Sequence, residues 1–475
     1  MYQRVLLVAP PSSSYLGAAM PPSGLGYLAQ SLLEAGIGYA VEDMRVRGRS
    51  STLQKRIRDF QPDLIGFSLV SLEYKRSYEL IRQIKELHPR ISIVAGGAHV
   101  SALQESVLEE CRALDFGIVG EAEQALLALC RGERPLEEIP GLYHWRNGTV
   151  VSGPERKLIS DLDTVPFPRF IHFDLKKYTQ ELPLVTSRGC PYKCIFCPHS
   201  IMSTGFRARS AANVVDEIEY WYHRGARHFA VDDDNFTLIK ERVYEICDEI
   251  ERRRLKDLFI RCANGIRADR VDRDLLTRLK EVGVREVGFG ADGGNNRVLL
   301  DIVHTGETID TIERAIQDAI DVGLQVRLFI IVGHPGETMS DVEDSFALAQ
   351  RYPLIRLHLN NPVPYPGTEL FEWVQNQGCF LMSPEEYLNN LTDSDTEPVF
   401  ETPELPADVR RQIMVRARKI ESRVWRRAAE RMLGDLPLIP TVAGRLLASR
   451  LGRWLFFKNT FTRSVINQLR YRIGK

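Results

Sequence analysis

The sequence predicts an α/β protein in three parts: an amino-terminal doubly wound parallel sheet, a partial barrel of six strand–helix units, and a helical region at the carboxyl end. Two observations lead there. Short apolar runs alternate with longer stretches of helical spacing in two successive series, separated by a proline-punctuated bridge. After Phe380 the alternation stops and only helical spacing is left. A chain of 475 residues exceeds one ordinary core, so residues 1–140, 141–181, 182–380 and 381–475 are expected as sheet domain, linker with hairpin, barrel and basic helical region.

In the first series Val5 to Ala9 reads as a strand buried on both faces, with Pro10, Pro11 and Ser12 in the loop at its carboxyl end. Ser23 to Gly36 has helical spacing and closes on glycine. Strands at 39–42, 64–68, 91–95 and 116–119 then alternate with helices at 51–60, 74–87, 103–111 and 122–129. In such a sheet ligands gather beyond the carboxyl strand ends, which hold Pro11, Ser12, Ser68, Ser71, Gly96, Gly97, His99, Gly120 and Glu121. A histidine after Gly-Gly often bonds backbone instead, and turn glycines also serve an empty scaffold. Asn147-Gly148 marks a hairpin turn, and Asp161 to Arg169, with Pro166 and Pro168, is an extended bridge.

The second series places strands at 182–186, 228–232, 259–263, 286–290, 325–332 and 356–360, each but the last followed by a helix. Six units are too few for a closed eight-stranded barrel, but chemistry still belongs at the carboxyl-terminal mouth. Asp232, Asp233, Asp234 and Asn235 end the second of these strands, and three adjacent carboxylates imply that at least one faces a cation. Capping of the next helix is the plainer role for Asn235. Arg267 follows the third strand, where it can fork onto a ligand carboxylate or pair with Asp269 or Asp272. Asp292 follows the fourth, Gly333 and Glu337 the fifth, and Tyr365 the sixth. Tyr365 and Asp234 are the candidates for contact with a reacting substrate; a tyrosine bonded to backbone is the commoner outcome.

Between the first and second strands of this series stands Ser187-Arg-Gly-Cys190-Pro-Tyr-Lys-Cys194-Ile-Phe-Cys197-Pro. Three soft ligands on one tight loop suit an iron–sulfur cluster that keeps an iron free for another molecule. A structural zinc loop is the other reading, but zinc wants four ligands in short-spaced pairs, and the next cysteines, Cys247 and Cys262, fall singly on a predicted helix and strand.

The spacing of Cys190, Cys194 and Cys197, with Phe196 before the last, resembles the cluster loop of the radical S-adenosylmethionine (SAM) superfamily, which uses an open six-stranded barrel. The resemblance implies a [4Fe-4S] cluster on those cysteines and SAM on the open iron, cleaved by one electron to a 5′-deoxyadenosyl radical. It also implies SAM contacts at Phe196, Asp232, Asp233, Asn235, Arg267, Asp292, Gly333 and Glu337. Asp292-Gly-Gly294 stands where relatives show Glu-Ser-Gly, and His304 where lysine is common. The strand-end loops of residues 1–140 resemble the cobalamin-type Rossmann domain that precedes the barrel in B12-dependent radical SAM enzymes, which implies cobalamin on the nine loop residues named above. There is no Asp-x-His-x-x-Gly stretch to give cobalt a histidine ligand, and only Cys111 and Cys130 lie in the domain, too few for the second cluster of the methylthiotransferases.

The implied activity is hydrogen abstraction from an unactivated carbon followed by methyl transfer from cobalamin, in natural-product or lipid biosynthesis. The alternatives are a radical dehydratase acting on a sugar-like diol without cobalamin, and a non-catalytic cobalamin or iron–sulfur sensor. An external one-electron donor such as flavodoxin or ferredoxin is implied as partner. Composition agrees with a cytoplasmic enzyme: the eight cysteines point to a reducing compartment, no membrane-length apolar run occurs, and the amino-terminal stretch is too short for a signal peptide. A formal net charge of −1 gives no case for nucleic acid. The carboxyl-terminal region is locally basic, with nine Lys or Arg between Arg410 and Arg431 and eight more from Arg445 on, interleaved with Trp454, Phe456 and Phe457. Such a helix either lies on an anionic membrane surface or packs as a lid with its arginines outward.

Overall fold

The computed structural model describes residues 1–12, 19–46, 50–198, 205–262, 264–390 and 397–433. The basic stretch from Arg445 to Lys475 lies outside the described residues.

The first part runs β1 (Arg4–Ala9), α1 (Ser23–Glu34), β2 (Gly38–Asp43), α2 (Ser50–Phe60), β3 (Leu64–Ser68), α3 (Tyr74–Leu87), β4 (Ser92–Gly96), α4 (Ala98–Leu103), α5 (Glu105–Glu110), β5 (Phe116–Ile118) and α6 (Glu123–Arg131). Its sheet has the order β2-β1-β3-β4-β5, all parallel, so the order of strand addition reverses between β1 and β3. Alternate residues of β1 feed two cores. Val5 and Leu7 meet α1 and α6, while Leu6 and Val8 meet α2 and α3, which is why the strand reads as one apolar run.

Two expectations change here. The helix expected over 103–111 is two short helices, because Gln104 turns the chain at φ 51° and thereby lets both Val100 and Val107 bury completely. The hairpin, β6 (Leu142–Arg146) and β7 (Thr149–Ser152), is not a free linker; it adds antiparallel to β5 and extends the first sheet to seven strands. It thereby covers the unpaired edge of a strand only three residues long.

The barrel runs β8 (Leu182–Leu184), β9 (Ser187–Arg188), β10 (Arg207–Ala208), α7 (Ala211–Tyr222), β11 (His228–Val231), α8 (Lys240–Arg252), β12 (Phe259–Cys262), α9 (Arg273–Glu281), β13 (Val284–Gly290), α10 (Ile309–Asp321), β14 (Gln325–Ile331), α11 (Met339–Arg351) and β15 (Arg356–Asn360). Strands β8, β11, β12, β13, β14 and β15 pair in that order, all parallel. The short antiparallel pair β9–β10 brackets the cysteine loop.

Three helices follow: α12 (Glu369–Gln377), α13 (Pro384–Asn390) and α14 (Ala407–Leu433). The first two double back on the sheet domain, where Leu370, Val374 and Tyr387 join its second core and the Glu73 amide donates to Leu388 O at 2.7 Å. Helix α14 covers the barrel's open edge. Ile413, Met414, Ala417 and Ile420 are buried, and Glu421 accepts from the Leu359 amide at 2.8 Å while Arg418 donates to the Leu359 carbonyl at 3.1 Å. Both free backbone groups of an edge-strand residue are thus satisfied by the helix. No helix among the described residues is long and apolar enough to cross a membrane.

Candidate functional site

The cysteine loop is held from three sides. Asp234 Oδ2 accepts from the Gly189 amide at 3.0 Å, the Ile195 amide donates to Val303 O at 3.2 Å, and Ile195 O accepts from the Leu370 amide at 3.0 Å. Cys190, Cys194 and Cys197 are unbridged and half-buried, and Asn235 Nδ2 lies 3.9 Å from the Cys190 sulfur. Burial pushes the Cys190 thiol up, and burial with the nearby Asp292 carboxylate pushes Cys194 up to about 12. The Cys190 and Cys194 thiols are therefore protonated at neutral pH, and a bound metal would hold them as thiolates.

The aspartates after β11 divide by strand alternation. Asp232 has the parity of the inward Ala230 and is half-buried; burial and the neighbouring Asp233 raise its carboxyl to about 6. Asp233 points the other way and corrects the expectation of a SAM contact. Its carboxylate is buried and accepts from the Thr186 amide (2.6 Å), the Thr186 hydroxyl (2.5 Å) and the Ser187 hydroxyl (2.6 Å), with Arg242 of α8 at 3.9 Å. It ties the end of β11 to the start of the cysteine loop. Asn235 is also buried, and its Oδ1 has no partner among the described residues.

Arg267 is not a free fork either. Its Nε donates to Asp269 (2.8 Å), its Nη1 to Thr305 O (3.0 Å), and its guanidinium lies 3.5 Å from the centre of the Tyr192 ring, so it braces the cysteine loop with only Nη2 left over. Asp292 is half-buried beside the loop, and burial with the Glu307 carboxylate raises it to about 7. Glu337 is fully buried, and its Oε2 accepts from the amides of Gly333 (2.6 Å) and His334 (2.8 Å). Phe196 faces that turn, its ring 5.8 Å from His334. Tyr365 packs against the second core beside α12 and α13.

A second site lies where the two sheets meet. A cleft of about 290 Å³ opens over the carboxyl halves of β1, β3, β4 and β5, beneath α1 and α6, and reaches Val185 and Arg188 of the barrel. Of the nine loop residues expected there, Ser68, Gly96, Gly97, Gly120 and Glu121 line it. Gly97 is irreplaceable on two counts: its φ is 98°, and a Cβ would sit 2.6 Å from Leu69 O. Pro11, Ser12 and Ser71 are not among the lining residues, and His99 is a correction. It is fully buried in the opposite core, stacked on Tyr74 and bonded through Nε2 to the Tyr78 hydroxyl (2.8 Å) and through Nδ1 to Ser71 (3.3 Å). Burial lowers it to about 4, so it stays neutral.

The rim of the cleft is charged. Arg188 donates to Glu121 (3.1 Å) and Glu123 (2.7 Å), with its guanidinium 4.8 Å from the centre of the Tyr27 ring. Arg207 adds two bonds to Glu121 at 2.9 Å. Arg188 and Arg207 flank the cysteine loop, so the loop's two feet are bolted to the sheet domain.

The model of the radical SAM superfamily matches residues 184–349, and that of the B12-binding domain matches residues 14–130. An uncharacterized methyltransferase of Pyrococcus horikoshii is 30% identical over 399 residues, covering 81% of this chain and 86% of that protein. The chain belongs to the radical SAM enzymes that carry a B12-binding domain.

Two further relatives match at lower identity. Cytidylyl-2-hydroxyethylphosphonate methyltransferase of Streptomyces wedmorensis is 27% identical over 71% of each chain. The anaerobic magnesium-protoporphyrin IX monomethyl ester cyclase of Rubrivivax gelatinosus is 27% identical over 67% of this chain, which spans 60% of that protein. Among solved structures, the radical SAM methyltransferase TsrM of Kitasatospora setae, with cobalamin and a [4Fe-4S] cluster bound, superimposes with a TM-score of 0.73 at 19% identity, covering 99% of each chain. The fold expected from the sequence is therefore the fold of the family.

The residues present suit the family's cofactors. Three thiols on a braced loop suit a cluster, and the mostly apolar lining of the cleft under α1 and α6 suits an aromatic group such as the base of cobalamin's nucleotide tail. Sequence reasoning missed Tyr27, Glu123, Arg188 and Arg207. The signal was present in Gly120-Glu-Ala-Glu123 and in Ser187-Arg-Gly-Cys190, but opposite charges 65 residues apart announce a pair only once the two domains are docked.

Proposed function

We propose that this radical SAM enzyme methylates an unactivated carbon of a small molecule, with cobalamin in the interdomain cleft as methyl carrier. When bound, the cluster and SAM supply a 5′-deoxyadenosyl radical, and cobalamin supplies the methyl group. The observation behind the reading is Arg188: it lines the cleft, stands two residues before Cys190, and so binds the B12-domain rim and the cluster loop to one another.

The chain's own residues have definable tasks in this scheme. Cys190, Cys194 and Cys197 would ligate three irons, with Asn235 Nδ2 directed at the first sulfur. Asp232, on the inner face of the barrel and still mostly ionised at neutral pH with its carboxyl raised to about 6, is suited to receive an ammonium group, whose charge would bring it down again. Asp292 sits between loop and lumen, where its raised carboxyl can hold a proton at neutral pH. Asp234 and Tyr365 lose ground as substrate contacts, since one caps the Gly189 amide and the other, partly buried, packs against the second core. The electron would come from an external donor, for which no contact is assigned.

Water elimination from a sugar-like diol without cobalamin is not favoured: the cleft keeps a side-chain-free floor at Gly66 and Gly96, where φ is not positive and a Cβ would meet nothing closer than 3.4 Å, so the backbone alone does not demand glycine there. Anaerobic reconstitution with iron, sulfide and hydroxocobalamin tests the proposal. Stoichiometric corrin and SAM-derived methylcobalamin are expected; SAM cleavage with no corrin retained would select the dehydratase reading.

A further inference from the structure

Charge is divided sharply along this chain. Residues 1–409 hold 45 Lys and Arg against 60 Asp and Glu, a net −15, whereas residues 410–475 hold 17 against 3, a net +14. The overall charge of −1 conceals the separation.

The described portion of the basic part is α14, which sorts its side chains by face. Ile413, Met414, Ala417, Ile420 and Val424 are buried in the core that the helix shares with the barrel. From Arg411 to Arg431 the exposed residues are seven Lys or Arg, Gln412 and Val415, and none is acidic. The two acids within this span are not fully exposed: Glu421 is turned onto the Leu359 amide, and Glu430 stands 3.9 Å from Arg426. The outer face is therefore a ridge of cations about 30 Å long, at 1.5 Å of rise per residue.

Partners within the fold do not account for that ridge. Arg411 and Arg416 pair with Glu397 and Glu343, but exposed pairs of this kind contribute little. Arg423 donates to the neutral Gln350 at 3.3 Å, and Lys419 and Arg427 have no acidic partner among the described residues. The pairs 416–419, 419–423, 423–427 and 427–431 set cation beside cation at three- and four-residue spacing, which destabilises a helix. A negative surface laid along the ridge would offset this repulsion.

The sequence that follows indicates what kind of surface. Residues 434–475 lie outside the described residues; they add eight Lys or Arg against Asp435 alone, interleaved with Leu446, Leu447, Leu451, Trp454, Phe456 and Phe457. A soluble polyanion would engage the cations and leave the leucines nothing to enter. The boundary of an anionic bilayer takes both, phosphate meeting the cations and acyl chains receiving leucine and aromatic side chains. No helix among the described residues is long and apolar enough to cross the bilayer, so the contact is peripheral.

We propose that the outer face of α14, with the basic and aromatic stretch after it, docks the protein on an anionic lipid surface. The inference is independent of which reaction the barrel performs.

The test is co-sedimentation of the full chain, reconstituted anaerobically, with vesicles of phosphatidylcholine alone and of three parts phosphatidylcholine to one part phosphatidylserine. Binding to the anionic vesicles only is expected, weakening as salt screens it. Each basic side chain near such a surface strengthens binding roughly fivefold, so Lys419→Gln, Arg423→Gln and Arg427→Gln together should weaken it about 100-fold, with iron content at the parent's level. No binding of the parent to anionic vesicles, equal binding to phosphatidylcholine, or parent-like binding by the triple variant overturns the inference. Tighter binding of a duplex oligonucleotide than of the anionic vesicles also overturns it and assigns the ridge to nucleic acid. If the triple variant loses its iron, Trp454→Ser with Phe456→Ser decides: vesicle binding must fall by about tenfold or more, and unchanged binding overturns the claim.

Discussion

Replacing Asp233 by alanine separates a structural carboxylate from a SAM ligand. The residue accepts three hydrogen bonds of 2.5–2.6 Å from Thr186 and Ser187, and its removal leaves those donors and the buried Arg242 cation without their anion. Breaking one half of a buried ion pair costs about 3–5 kcal/mol, and Arg242's surviving bonds to Thr186 place the effect near the lower end, about 3 kcal/mol. The loss is local, at the junction of β8 and the cysteine loop, so hydrogen exchange of the peptide containing Thr186 is the assay. A local opening easier by about 3 kcal/mol accelerates exchange roughly 100-fold. Molecules that retain the cluster should bind SAM as the parent does. Exchange within about threefold of the parent, or a lost SAM affinity with exchange unchanged, would refute the structural role.

Three further outcomes are expected. Gly66→Leu places a side chain on the floor of the cleft, so corrin retention, read by visible absorbance, should be lost while iron content stays at the parent's level. His99 is neutral and buried with a pKa of about 4 against an ordinary 6.5; the unfolded chain takes up the proton first, so stability should fall as pH drops from 6.5 towards 4, by up to about 3 kcal/mol. His99→Gln should flatten that slope in hydrogen exchange of the β4–α4 segment and leave corrin binding intact, whereas a cobalamin contact would lose corrin. Arg188→Met removes the bridge to Glu121 and Glu123, and limited proteolysis should then cleave the 153–181 segment faster than in the parent.

What the sequence disclosed follows from which forces are local. Buried parallel strands need continuous apolar runs, so their positions were legible to within two residues in most cases, and strand ends mark the mouth of any parallel barrel. The cysteine loop was legible because soft ligands crowded into eight residues have few other uses. The side-chain partners were not. Asp232 and Asp233 are chemically identical neighbours, and only strand alternation, with Arg242 waiting on α8, sends one to the lumen and the other to Thr186. His99 follows a ligand-like Gly-Gly turn, yet α4 begins one residue earlier and rotates the ring into the core against Tyr74 and Tyr78. Arg188 owes its role to partners far along the chain, which no local pattern encodes.

The most direct test is the fate of SAM on the anaerobically rebuilt, cobalamin-loaded protein given one-electron reductant and methyl-deuterated SAM. The account predicts four irons per chain, 5′-deoxyadenosine release that depends on Cys190, Cys194 and Cys197, and deuterated methyl on the corrin. Bound zinc in place of iron, or a complete cluster beside intact SAM, would contradict it.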